Sequence, residues 1–186
     1  PPFYAGQVGA QAERLRRAGR SVIGMHFGQP TEPPPPGVHA AAHRAIDGGP
    51  SGYYESPELR ERIARHYRDT YGLEVSTARI LLTQGASAGL VAAFTTLFAS
   101  GDRVGIVRPG YPAYRNALRA LGREPVEIDC GPERDFRLGA DQVAAVPGEL
   151  HGLVVASPGN PTGAMLSHEA LAAVASAWCD SIAPVG

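Results

Sequence analysis

The sequence predicts an α/β fold, a mostly parallel sheet covered by helices. Three observations carry this expectation. From residue 79 onward, short apolar runs alternate with helical patterns. Three of those runs end in stiff turns: Gly85-Ala86-Ser87, Pro109-Gly110-Tyr111-Pro112, and Ser157-Pro158-Gly159-Asn160-Pro161-Thr162-Gly163. The composition is globular, with 44% hydrophobic and 19% charged residues over 186 positions, enough for a real core.

Taken in order, Ala10 to Arg17 reads as a short helix ending at Gly19, its arginines on a solvated face. Val22 to Phe27 alternates weakly as a short strand. It runs through Gly28-Gln29-Pro30 into Pro33 to Pro36, a stiff and extended run. A helix from Val38 to Ile46 is stopped by Gly48-Gly49-Pro50. Ser56 suits the N-cap of the next helix, Pro57 its first position and Glu58 its first turn. Leu59, Ile63 and Tyr67 recur at helical spacing, so the helix spans Pro57 to Tyr71 and ends at Gly72. Glu58–Arg62 and Glu61–Arg65 are expected as helix ion pairs of small value.

The rhythm then becomes strand, turn, helix. Arg79 to Thr83 is a strand, and Ser87 to Ala99 a helix closed by Gly101. Arg103 to Val107 is a second strand, followed by a helix from Ala113 to Leu121 that Gly122 stops. Pro125 to Cys130 is a third strand, Leu138 to Val146 a short helix, and Leu153 to Ala156 a fourth strand. Ser167 caps the last helix, which begins at His168 with Glu169 in its first turn.

Several function classes receive no support. A net charge of −1 favours neither nucleic acid nor an acidic membrane surface. Leu90 to Ala99 is too short to span a bilayer, and no basic-then-apolar targeting segment is present. Cys130 and Cys179 read as free thiols in a reducing, cytoplasmic setting. The six histidines are scattered, and His39 with His43 lacks the partners of a metal site. Asp129 beside Cys130 has no triad partner, and Arg108 reads as a surface arginine or an anion contact.

The three stiff turns carry the chemistry. Gly85-Ala86-Ser87 opens a helix, where unpaired N–H groups and the helix dipole suit a phosphate, with the Ser87 hydroxyl as a further donor. Tyr111 is a rigid aromatic able to stack on a flat ring. Asn160 offers both donor and acceptors. Each alone reads as an N-cap, a packing residue and an ordinary loop. Right-handed crossovers bring all three to one sheet edge. The set then fits a flat, phosphorylated, hydroxyl-bearing aromatic cofactor.

With Gly28-Gln29-Pro30, Gly52-Tyr53-Tyr54, Leu59-Arg60, Thr83-Gln84-Gly85-Ala86-Ser87, Arg108-Pro109-Gly110-Tyr111-Pro112 and Ser157 to Gly163 in this order, the chain resembles the class I/II aminotransferases. These are fold-type I enzymes that use pyridoxal 5′-phosphate (PLP). The resemblance implies an aspartate-aminotransferase-like fold, here incomplete. Residues 1–50 would be an N-terminal arm and small-domain segment, and 51–186 the first part of the large PLP-binding domain. It implies that Gly85, Ala86 and Ser87 hold the cofactor phosphate, Tyr111 stacks on the pyridine ring, and Asn160 meets the ring's 3′-oxygen. Gly28 would lie near the substrate carboxylate. Tyr53 or Tyr54 would reach the phosphate of the neighbouring subunit, which implies a homodimer. The substrates implied are an amino acid and a 2-oxo acid.

The family's mechanism also needs a Schiff-base lysine. Lys and Arg together number 17 and every one is arginine, so no residue of this chain can take that role. The expectation is therefore an N-terminal half that is inactive alone and leaves a sheet edge for further strands to cover. Other readings are a different fold-type I activity such as a C–S lyase, a PLP-binding sensor domain, or a pseudoenzyme.

Overall fold

A computed structural model describes residues 4–28, 30–49 and 52–181 of the chain. Gln29 and Pro50, which the sequence reading uses, lie outside the described residues. The backbone forms two compact units, residues 1–82 and 83–186.

Among the described residues, the first unit holds three helices, α1 (Tyr4–Arg17), α2 (Pro36–Gly48) and α3 (Pro57–Tyr71), and a 3-10 turn at Thr77–Arg79. Helix α3 has the bounds that its signals predict. Ser56 Oγ accepts the Leu59 N–H at 3.2 Å, Pro57 takes the first position, and Gly72 closes the helix at φ +67, a left-handed conformation that suits glycine. The Glu58–Arg62 and Glu61–Arg65 pairs do not form. Glu58 instead accepts from the Tyr54 hydroxyl at 2.7 Å and the Ser56 hydroxyl at 3.2 Å, while Arg60 pairs with Glu55 at 2.6 Å.

Two expected strands are absent. Residues 22–27 are irregular, and Arg79 to Thr83 is a 3-10 turn followed by unpaired chain. Ile80 does have an extended backbone, φ −109 and ψ 114. A strand also requires a ladder, and among the described residues nothing pairs with either segment.

The second unit holds α4 (Gly85–Leu97), β1 (Arg103–Arg108), α5 (Pro112–Ala120), β2 (Glu124–Asp129), a 3-10 turn (Pro132–Arg134), α6 (Ala140–Ala144), β3 (Gly152–Val154) and α7 (His168–Ser181). The three strands form a parallel sheet in the order β2-β1-β3, with Arg108 opposite Asp129 and Gly105 opposite Leu153. Helix α4 begins two residues earlier than expected. Gln84 is its N-cap position, so Ser87 lies inside the first turn.

The sheet separates two cores, as the period-two alternation of β1 requires. Val104 and Ile106 pack with Phe94 of α4 and Leu118 of α5 on one face. Val107 packs on the other face with Ile128, Leu138, Leu150, Val143 of α6 and Val174 of α7. A Cβ at Gly105 would come within 2.7 Å of Leu153 Cδ1, so this second core closes against bare β1 backbone. The Trp178 indole donates to the Leu150 carbonyl at 2.9 Å and ties α7 to the turn before β3.

Leu118 is fully buried, so Leu118→Ala should cost about 2–5 kcal/mol, read as a lowered denaturation midpoint. Cys130 is fully buried and burial pushes its thiol pKa up, whereas Cys179 is exposed. The neutral Cys130 thiol therefore supports the fold at neutral pH, and that support is lost as pH rises through the raised value. A thiol reagent at neutral pH should modify Cys179 at once and Cys130 only after unfolding. Equal rates at both positions would contradict this packing.

Candidate cofactor site

All three strands run the same way, so their C-terminal ends share one edge. A shallow cleft opens there, lined by Pro109, Gly110, Tyr111, Phe136, Gly159 and Asn160 among others. It joins the loop after β1 to the loop after β3, so Tyr111 and Asn160 meet in one cleft. Gly85, Ala86 and Ser87 do not line it. They open α4, whose other end is fixed at the opposite edge: a Cβ on Gly152, at the start of β3, would strike the Phe98 ring. Leu90 and Phe94 pack over β1, and 13 helical residues span about 20 Å, so the first turn of α4 reaches the C-terminal edge.

Each loop is held locally. Tyr111 is the N-cap residue of α5, and its ring meets Tyr114 edge-on with centroids 5.6 Å apart. A Cβ on Gly110 would strike the Val107 carbonyl, so the chain hugs the end of β1 in a way only glycine permits. The Asn160 loop closes on itself. Gly159 N–H donates to the Ala164 carbonyl at 2.8 Å, and Gly163 N–H donates to the Gly159 carbonyl at 2.8 Å. The Leu166 N–H donates to Ser157 Oγ at 3.0 Å. Asn160 itself stays exposed at the rim. The peptide bonds before Pro109, Pro158 and Pro161 are cis.

At the start of α4, Gly85 takes φ +77 and has no atom within 4 Å of its Cβ position. No side chain caps this helix. The N–H groups of Ala86 and Ser87 sit in the first turn, where a helix offers no internal acceptor. The donor set thus suits an anion, and the cleft pairs an aromatic ring with an amide. A donor set of this kind would suit the phosphate of PLP, and the ring and amide of the cleft would suit its pyridine ring and ring oxygen, with the phosphate donors outside the cleft lining. The amine that would bond to PLP covalently is absent from this sequence.

Phe136 is a cleft residue that the sequence reading missed. Asp135 and Phe136 adopt φ +50 and +58 in the loop after β2. Left-handed Asp is tolerated, but no sequence signal marks a Phe in that conformation. Arg108 is an ion-pair partner of Asp129. Its guanidinium holds both carboxylate oxygens of Asp129, and this bond raises its pKa further. Its charge is committed rather than open to an anion.

Gly28 and Tyr53 belong to the first unit. A Cβ on Gly28 would meet nothing within 4 Å. Tyr53 is fully exposed, and the neighbouring Tyr54 hydroxyl is occupied by Glu58.

The profile described as Aminotransferase class I and II matches residues 20–181. The chain is 43% identical over 184 residues to the valine–pyruvate aminotransferase of Mycobacterium tuberculosis, covering 97% of this chain and 47% of that protein. It is 34% identical over 172 residues to the aspartate/prephenate aminotransferase of Thermus thermophilus, covering 90% of this chain and 45% of that protein. Among solved structures, an aminotransferase from Mycobacterium tuberculosis matches with TM-score 0.90 and 43% identity, over 97% of this chain and 47% of that one. The chain spans about half the length of the curated relatives it matches. It belongs to the class I and II aminotransferases, a family of enzymes, and carries part of their aspartate-aminotransferase-like fold.

Proposed function

We propose that the protein is a PLP-dependent aminotransferase that moves an amino group between an amino acid and a 2-oxo acid, and that this chain supplies its cofactor cradle. The observation that carries the reading is the single cleft shared by Tyr111 and Asn160 at the sheet edge that the first turn of α4 also reaches. When bound, PLP would supply an electron sink and a carrier for the amino group. The chain's own residues would bind and orient it. The N–H groups of Ala86 and Ser87, at a turn made by Gly85, would hold the phosphate, with the Ser87 hydroxyl as a further donor. Tyr111 would cover one face of the ring, and Asn160 would donate to the 3′-oxygen. Gly28, without a side chain, would leave room for the substrate carboxylate.

In the whole protein, residues 1–50 would form the arm and small-domain segment, and 51–186 the start of the large domain. A homodimer follows from the same reading, with Tyr53 reaching the neighbouring subunit's phosphate. The engagement of Tyr54 with Glu58 supports Tyr53 in that role. Two cysteines without a disulfide agree with a cytoplasmic setting.

The test is amino transfer by the full-length protein supplied with PLP, first from valine to pyruvate and then across a panel of amino acids and 2-oxo acids. PLP-dependent transfer is expected, and Asn160→Ala should weaken PLP binding about tenfold. No transfer to any 2-oxo acid would sink the proposal. The Tyr54–Glu58 bond has its own check. It raises the Tyr54 pKa, so the bond persists below the ordinary phenol range and is lost as pH rises through the raised value. In an ultraviolet titration, Tyr54→Phe should remove a phenol from the high-pH end of the curve.

A further inference from the structure

We infer that Glu127 is a positioning residue for the Tyr111 ring, because it ties both ends of the loop that carries the ring to strand β2. The inference rests on the proposal that Tyr111 stacks on the cofactor. The loop leaves the sheet at Arg108 and is back on it at Arg115, in the second turn of α5. Arg108 Nη1 lies 3.7 Å from Glu127 Oε2, and Arg115 Nη1 lies 3.3 Å from Glu127 Oε1. Each oxygen of one carboxylate therefore takes one end of the loop. Asp129, two residues along the same strand face, holds Arg108 from the other side. The result is an alternating row of Asp129, Arg108, Glu127 and Arg115 beneath Gly110 and Tyr111, which line a shared cleft with Arg108, Arg115 and Glu127.

Isolated surface ion pairs contribute little. This one differs in two respects. The Glu127 side chain is only 23% exposed and Arg115 33%, so water screens their contact less than it would an open pair. The four charges also form a network, in which one lost member leaves the others unbalanced. The two carboxylates of the row stand on β2, an element that carries no residue of the proposed cradle. Removing the Glu127 charge alters where the ring stands without removing any group that would touch cofactor.

The experiment is a double-mutant cycle on the full-length protein, reading PLP affinity and the induced circular dichroism of the bound cofactor. Glu127→Gln keeps the size of the side chain and removes its charge. It should weaken PLP binding about five- to tenfold and change the induced signal, while in a Tyr111→Leu background the same substitution should have no further effect. Arg115→Met should reproduce the result from the other side of the contact. An equal loss in both backgrounds would show a general structural role and overturn the inference. So would unchanged binding in Glu127→Gln alongside weakened binding in Tyr111→Leu. If Tyr111→Leu itself leaves affinity unchanged, the stacking proposal fails and the inference falls with it, a result distinct from the other two.

Discussion

Strand β1 pairs in parallel on both sides, and this constraint arranges everything else in the second unit. Parallel neighbours cannot be joined by a tight hairpin, so each connection must cross over the sheet. The chain returns through α5 before β2 and through α6 before β3, while α4 and α7 complete the cover. Every strand therefore discharges its loop at the same edge. Tyr111 and Asn160, 49 positions apart in the chain, become neighbours for this reason alone. The bare backbone at Gly105 is part of the same arrangement, since it lets Leu150 and Leu153 close over the centre of the sheet.

Arginines serve both edges of the sheet. At the N-terminal edge they cap carbonyls, and Arg103 Nε also lies 3.6 Å from Glu124 Oε1. Arg103 donates to the carbonyls of Pro147 and Glu149 at 2.8 and 2.9 Å, and Arg123 donates to those of Phe98 and Leu121. These donors satisfy carbonyls that helix ends and turns leave without partners. At the C-terminal edge, Arg108 and Arg115 meet carboxylates. A planar guanidinium, always charged, serves both purposes, and this chain uses no other strong cation.

Local chemistry was legible in the sequence; partnership was not. Helix α3 could be read to the residue because Ser56, Pro57 and Gly72 act on their own helix. The strands β1, β2 and β3 were found within two residues, since their apolar runs end at turns. Arg79 to Thr83 carried the same kind of run and formed no strand, because a ladder depends on a neighbour rather than on the run itself. In the cleft, Tyr111 and Asn160 were legible through the turns that bear them. Phe136 there, and Glu127 in the adjoining cleft on the other side of Tyr111, were not, for each acquires its place from the loop or strand opposite.

The chain's one tryptophan has a practical consequence. Trp178 is half-buried, bonded to the Leu150 carbonyl just before β3, and so sits at the edge remote from the cleft. Its emission is a built-in gauge of whether α7 is seated on the sheet. A shift of that emission would report α7 leaving the Leu150 turn, at the edge of the sheet where strands begin rather than where they deliver their loops.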